Sequence, residues 1–145
     1  MVRPLLLVFL LLFSTPARAD PAIVAAFQRA IAAFDRAEPA LGAEAFGVNV
    51  KTYREALSRR QFSSDFWGGA VQLDVVRRDT PDGSCSRYAA FVRSPPENGV
   101  LGLIICPEFL TPGTEALRAL TILHEMVHVV AGPDECRAMA FAARV

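Results

Sequence analysis

The sequence predicts an α+β domain with two N-terminal helices, a three-stranded sheet, a long apolar helix and a short C-terminal helix. Three patterns carry this prediction. In the first third of the chain, apolar residues recur every three or four positions, which is typical of a helix that buries one face. From Val71 onwards apolar and polar residues alternate, which indicates a strand. After residue 114 a long apolar stretch continues to Gly132-Pro133, where a helix must end.

Residues 1–19 have the pattern of a secretory signal peptide. Arg3 supplies the positive start, residues 5–13 form an apolar run of nine, and Ala17-Arg18-Ala19 is a small-x-small cleavage site. The run is too short to span a bilayer. We therefore expect a secreted or periplasmic protein whose mature chain is one domain, residues 20–145. An uncleaved N-terminal anchor is the alternative.

The charge of the mature chain excludes one class of partner. Loss of Arg3 and Arg18 with the signal peptide leaves 13 basic and 15 acidic residues, a net charge of −2. Because no basic patch is present, we expect no nucleic-acid partner. We also expect no stable membrane insertion after cleavage.

Two helices are predicted before the sheet. The first begins at Asp20-Pro21, an N-cap followed by a proline in the first turn, and ends near Arg36. Its apolar face repeats at spacings of four, four and three residues and consists of Ile23, Phe27, Ile31 and Phe34. The second helix covers residues 49–60, and one side of it carries Val50, Tyr53 and Leu57.

Three strands are predicted at residues 71–75, 86–93 and 100–106, separated by turns at 79–83 and 94–99. The third is almost wholly apolar, which favours burial on both faces. If 94–99 is the turn of an antiparallel hairpin, Arg93 faces Val100.

The last predicted elements are two helices. Thr114 is a plausible N-cap for the long helix, which ends near Ala131. Gly132-Pro133 breaks it, and residues 134–145 favour a second, shorter helix.

The long helix contains His124-Glu125-Met126-Val127-His128, and these are the only two histidines of the chain. Residues i and i+4 lie on one helix face, so both imidazoles can bind one metal ion. Glu125 points off that face but remains close enough to act as general base for a water. Alternatively, the histidines are satisfied core residues and Glu125 is a solvated carboxylate. The apolar residues on both sides of the motif favour a functional site over ordinary core residues, because burying ionisable groups costs desolvation free energy.

This organisation resembles the zincin metallopeptidases, which carry H-E-x-x-H on a helix packed under a small twisted sheet. The resemblance implies a zinc site with His124 and His128 as ligands and Glu125 as the base. At residue level it covers only the H-E-x-x-H segment. Residues 106–110, Cys-Pro-Glu-Phe-Leu, are also weakly similar to the segment before the active-site helix of deuterolysin-like enzymes.

The branches of the family differ in the third ligand. Glu135-Cys136-Arg137-Ala138 fits the gluzincin E-x-x-A pattern, although its distance from His128 is short for that branch. Asp134 stands where metzincins place their last ligand, but Ala131 replaces the glycine of their turn. We favour Glu135 and keep Asp134 as the alternative. In a third interpretation both acids only cap the last helix, and a Cys106 ligand, as in peptide deformylases, lacks the accompanying motif.

The expected function is therefore that of a zinc-dependent peptidase with Zn²⁺ as cofactor and a peptide or protein as substrate. An extended substrate would pair with an edge strand of the sheet. Tyr53 and Tyr88 are candidates for a second electrophile, although each is also an ordinary core or surface tyrosine. The alternative function is a non-catalytic binding module that zinc stabilises.

Three cysteines leave the disulfide pairing open. An exported protein meets an oxidising compartment, where a pair forms readily. The predicted hairpin puts Cys106 opposite Arg87, so a slide or bulge of one or two residues would bring it to Cys85. We favour Cys85–Cys106, with Cys136 as a free thiol buried beside the metal ligand. Cys106–Cys136 and three unpaired thiols are the alternatives.

Overall fold

The computed structural model describes residues 19–113 and 115–145, and in this part of the chain the fold is α+β. The five helices are α1 Pro21–Ala37, α2 Val50–Arg59, α3 Pro107–Leu110, α4 Glu115–Ala131 and α5 Glu135–Arg144. Two short 3₁₀ turns, Glu38–Ala40 and Gly83–Ser86, complete the helical elements. The predicted signal peptide, apart from Ala19, and the predicted N-cap Thr114 lie outside the described residues.

Two sheets accompany the helices, one antiparallel and one mixed. A small ladder pairs β1 Glu44–Ala45 with β2 Val48–Asn49. The main sheet has the order β3-β4-β6-β5, and its strands are β3 Gln61–Ser64, β4 Gly69–Arg77, β5 Ala90–Glu97 and β6 Val100–Ile105. The central pair β4–β6 is parallel, and both outer strands are antiparallel to their neighbours.

Local sequence explains where the first two helices begin. The Asp20 side chain accepts a hydrogen bond from Ala22 N, and Pro21 occupies the first turn. Asn49 caps α2 by accepting from Thr52 N. Both predicted helices are thus confirmed to within a residue or so, because each carries its own start signal.

The main core lies between one face of the sheet and helices α1, α2 and α4. That face of β4 and β6 contributes Val71, Leu73, Leu101, Leu103 and Ile105. The opposite face carries a second, small cluster around Cys85, Ile104 and Cys106. β6 is therefore buried on both faces, as its apolar sequence predicted.

The predicted three-stranded sheet is wrong in strand number, since the main sheet has four strands and a two-stranded ladder stands apart. β3 has four residues and two of them are serines, so neither length nor hydrophobicity marks it. The predicted strand at 86–93 begins only at Ala90, because the chain before it turns at Gly83–Ser86.

The predicted hairpin register is also wrong. Arg93 faces Gly102 rather than Val100, and Val100 faces Glu97, because the tight turn is Asn98-Gly99 and β5 bulges between Arg93 and Glu97. Both turn residues have positive φ, 51° and 76°, as a two-residue hairpin turn requires.

The predicted disulfide is confirmed. Cys85 and Cys106 are bonded across a Cα–Cα distance of 5.2 Å. The predicted route to it is wrong, because the register shifts by two residues in the other direction and Cys106 N donates to Ala89 O rather than lying nearer Cys85 along the strand. The 3₁₀ turn at Gly83–Ser86 places Cys85 within reach instead. Cys136 is free, but it is exposed rather than buried, because it points outward on the first turn of α5.

No helix among residues 19–113 and 115–145 combines the length and the apolar composition that crossing a bilayer requires.

Candidate metal centre

Helix α4 brings the two histidines together. His124 and His128 are one turn apart, and their Nε2 atoms are separated by 3.2 Å. The side chains retain 23% and 11% of their exposure, so both rings are largely withdrawn from water. Their Nε2 atoms converge on one point, as the i, i+4 spacing predicted.

Helix α5 adds a carboxylate. Glu135 is its first residue, and its Oε2 lies 3.1 Å from His124 Nε2 while its Oε1 lies 3.4 Å from His128 Nε2. Asp134 is engaged elsewhere, because its side chain accepts from Arg137 N and caps α5. Of the two acids left open by the sequence, Glu135 is the one that reaches the histidines.

The three side chains form a group that could hold a metal ion. Their donor atoms lie within 4.8 Å of one another, and the closest separations are 3.1, 3.2 and 3.4 Å. An ion with tetrahedral ligands at about 2.0–2.1 Å spaces those ligands about 3.3–3.4 Å apart. Each of these three pairs is therefore close to that spacing, with His124 and His128 approaching different oxygens of the Glu135 carboxylate.

The protonation of the histidines suits a cation. Burial lowers the pKa of His124, and the charge of His128 lowers it further, although Glu135 acts in the opposite direction. His128 Nδ1 lies 2.9 Å from the carbonyl oxygen of Gly132. Because a carbonyl only accepts, Nδ1 carries the proton and Nε2 is left with the lone pair that a metal needs.

Glu125 lies beside the donor side chains and is shielded from solvent. It is 8% exposed, and burial followed by repulsion from Glu135 raises its pKa to about 8. It lines the same cleft as His128 and Glu135. A carboxyl whose pKa lies near neutrality can both take up and release a proton at that pH.

The cleft beside these residues has a volume of about 150 Å³. Its opposite wall is β5, with Ala90, Val92 and Ser94, together with Tyr88 just before the strand. β5 is an edge of the main sheet. The wall that faces Glu125 therefore belongs to a strand that is paired on one side only.

The two tyrosines that are candidates for a second electrophile lie in different environments. Tyr88 is half exposed and lines the cleft. Tyr53 is fully buried, and its hydroxyl donates to Leu123 O at 2.8 Å. Tyr53 is thus a core residue, and of the two tyrosines only Tyr88 lines the cleft.

Comparison of the chain with known protein families, with curated proteins and with solved structures finds no match.

The sequence did not reveal what supports the end of α4. Val129 O would accept from residue 133 in a longer helix, but Pro133 has no N–H. The indole of Trp67 donates to it instead, at 2.7 Å, and Arg137 donates to Ala131 O at 2.8 Å. The one available signal was the proline four residues after Val129, which implies a carbonyl in need of an outside donor.

Proposed function

We propose that the chain is an exported zinc-dependent peptidase of the zincin type. The observation that carries the proposal is the combination of two features. The donor atoms of His124, His128 and Glu135 lie within 4.8 Å of one another, and a buried carboxyl, Glu125, lines the same cleft as His128 and Glu135. A structural metal site needs no such acid.

The donor set favours zinc. Two imidazole nitrogens and one carboxylate oxygen are ligands that Zn²⁺ accepts, and three protein donors leave a fourth position free, as in catalytic sites. The general architecture agrees with a zincin, since the helix with the motif packs against a small sheet whose edge strand β5 flanks the site. Export agrees with the Cys85–Cys106 disulfide.

When bound, Zn²⁺ supplies a Lewis acid that lowers the pKa of water towards ~7 and polarises a carbonyl group. Glu125 then acts twice, because its carboxylate first takes a proton from the attacking water and later passes it to the leaving amine. Burial beside the apolar flanks of α4 keeps this carboxyl in a low-dielectric place, where it holds a proton strongly enough to carry it between the two atoms.

β5 is suited to orient an extended peptide. Before Pro95 and Pro96, which have no N–H, its free edge offers backbone N–H and C=O groups, and a peptide that pairs with this part of the strand would lie across the donors. Tyr88 can donate its hydroxyl proton to a substrate oxygen from the same wall.

The proposal is tested by metal analysis together with a peptidase assay. We expect about one zinc per chain, and loss of it in His124→Ala and His128→Ala. Glu125→Gln should retain zinc and lose peptidase activity. Full zinc occupancy in either histidine variant would exclude the site.

A zinc-stabilised binding module is the second candidate, because the small cleft leaves little room for the substrate subsites of a peptidase. At about 150 Å³ the cleft is smaller than the roughly 300 Å³ or more of ordinary ligand sites. In that case the zinc-loaded wild type would bind peptides without cleaving them, and Glu125→Gln would behave like the wild type.

A further inference from the structure

The turn between β3 and β4 places two aromatic rings on the last turn of α4. Phe66 and Trp67 are adjacent in this turn, and their rings meet edge to face with centroids 4.6 Å apart. We call this pair the aromatic clasp. It is distant from α4 in the sequence, and it contacts the helix at the turn that follows His128.

Trp67 replaces a missing backbone donor. The indole Nε1 donates to Val129 O at 2.7 Å, where Pro133 can offer no N–H. Trp67 is itself held, because its backbone N donates to Ser64 Oγ at 3.1 Å and Ser64 is buried at the end of β3. The β3 end of the sheet is thus fastened to the C-terminus of α4.

Phe66 covers the residue next to the proline. Gly132 has a φ of +82°, and a Cβ atom there would come within 2.2 Å of the Phe66 ring. The ring therefore lies against the bare face of Gly132. Only glycine satisfies both the positive φ and this close approach.

Gly132 is the residue whose carbonyl orients a metal donor. Its oxygen accepts from His128 Nδ1 at 2.9 Å, and this bond turns His128 Nε2 towards His124 and Glu135. We propose that the aromatic clasp is a positioning device: Phe66 and Trp67 fix the Gly132 carbonyl and thereby the tautomer and rotation of the His128 ring. The inference rests on the proposed metal site.

The physical reason is the weakness of a helix end. The last carbonyls of a helix lack internal partners, and the last turn frays readily. If the Gly132 carbonyl swung away, the His128 ring would lose the acceptor that keeps its proton on Nδ1. Groups that orient a metal-binding histidine typically change metal affinity by about 10–100-fold when they are removed.

The test compares Trp67→Phe and Phe66→Leu with a matched control, Tyr53→Phe. Tyr53 also donates from an aromatic side chain to a carbonyl of α4, Leu123 O at 2.8 Å, but that carbonyl does not orient a histidine. All three variants therefore weaken the support of α4, and only the first two disturb the turn at Gly132.

Two readouts are needed, and one of them does not involve metal. The zinc dissociation constant is measured by competition with a chromophoric chelator. In the metal-free protein, long-range ¹⁵N NMR of the imidazoles gives the fraction of His128 that carries its proton on Nδ1. We expect Trp67→Phe to weaken zinc binding by about 10-fold or more and to lower that fraction. Phe66→Leu should act in the same direction, and Tyr53→Phe should change both readouts by less than about 2-fold because the Leu123 carbonyl keeps its helical bond.

The outcomes separate this inference from the proposed function. If the wild type binds zinc and neither clasp variant changes the affinity or the tautomer more than Tyr53→Phe does, the aromatic clasp is ordinary packing and the inference is wrong. If the wild type binds no zinc, the proposed function fails, and the tautomer measurement alone decides the inference. Should Trp67→Phe not fold, Phe66→Leu decides, because the Phe66 ring is half exposed and its loss is tolerable.

Discussion

Glu125 should make the metal-free protein unstable at alkaline pH, and Glu125→Gln should remove that instability. Burial, with repulsion from Glu135, raises the pKa of Glu125 from 4.5 to about 8 in the folded chain. Glutamine resembles the protonated acid in size and in lack of charge. The difference between the two proteins therefore isolates the free energy of ionising one buried carboxyl.

The magnitude follows from the pKa shift. Each unit corresponds to about 1.4 kcal/mol, so a rise from 4.5 to about 8 is worth on the order of 5 kcal/mol. Because the folded pKa is the higher one, the folded chain binds a proton between pH 4.5 and 8 that the unfolded chain releases. Stability is thus fully present below about pH 4.5 and falls by about 1.4 kcal/mol per unit until about pH 8. A loss of that size approaches the whole stability of many domains.

Urea unfolding after chelation, at about pH 5, 6, 7 and 8 with the disulfide intact, measures the effect. The unfolding free energy of Glu125→Gln minus that of the wild type should be about 1 kcal/mol at pH 5 and grow steadily to several kcal/mol at about pH 8. His124, whose pKa is lowered, is present in both proteins and drops out of the difference. With zinc bound, this difference in unfolding free energy should rise less with pH, because a nearby cation favours the ionised carboxylate.

The reasoning would be refuted if the unfolding free energies of the wild type and Glu125→Gln changed in parallel across this pH range. They would mean that Glu125 ionises as it does in water and that the cleft does not desolvate it.

Three further outcomes are expected. Glu135→Gln should weaken zinc binding in an equilibrium competition assay. Asp134→Asn should not, because asparagine also caps a helix. If only Asp134→Asn lost the metal, Asp134 would be the ligand and Glu135 would not. Replacing both Cys85 and Cys106 by alanine should lower the unfolding free energy by about 3 kcal/mol in the chain-entropy model for their separation of 21 residues, as denaturant titration would show; a double variant as stable as the wild type would contradict this. Tyr53→Phe should cost about 1–2 kcal/mol in the same titration, since a buried carbonyl loses a donor; an unchanged midpoint would mean that the bond contributes nothing.

The local parts of the site were predictable from the sequence. His124 and His128 lie on one helix face because their spacing requires it, and α5 begins where Asp134 can cap it. The sequence favoured Glu135 through its E-x-x-A pattern but left Asp134 as an alternative, because adjacent residues differ only in the direction of their side chains. In the structure the Asp134 side chain caps the start of α5, whereas the Glu135 side chain reaches the two imidazoles.

The parts that depend on distant contacts were not predictable. β3 was missed because it is short and polar, and it is held by pairing with β4 rather than by its own propensity. The hairpin register shifted because β5 bulges before its turn. The hydrogen bond from the Trp67 indole to Val129 O joins residues 62 positions apart, and no local sequence pattern predicts it.

All three donor atoms come from a helical hairpin of residues 124–135, joined by a connection of only three residues. Such a short loop closes quickly and at little entropic cost, so this hairpin can form before the sheet with its non-local pairings. A metal would also bind partly unfolded chains that contain this hairpin, although more weakly than the native chain because the aromatic clasp is not yet in place, and its stabilisation of the native state would be smaller than its affinity suggests. In refolding experiments we therefore expect added zinc to accelerate folding more than it slows unfolding, and that result would show that the hairpin is already formed in the transition state.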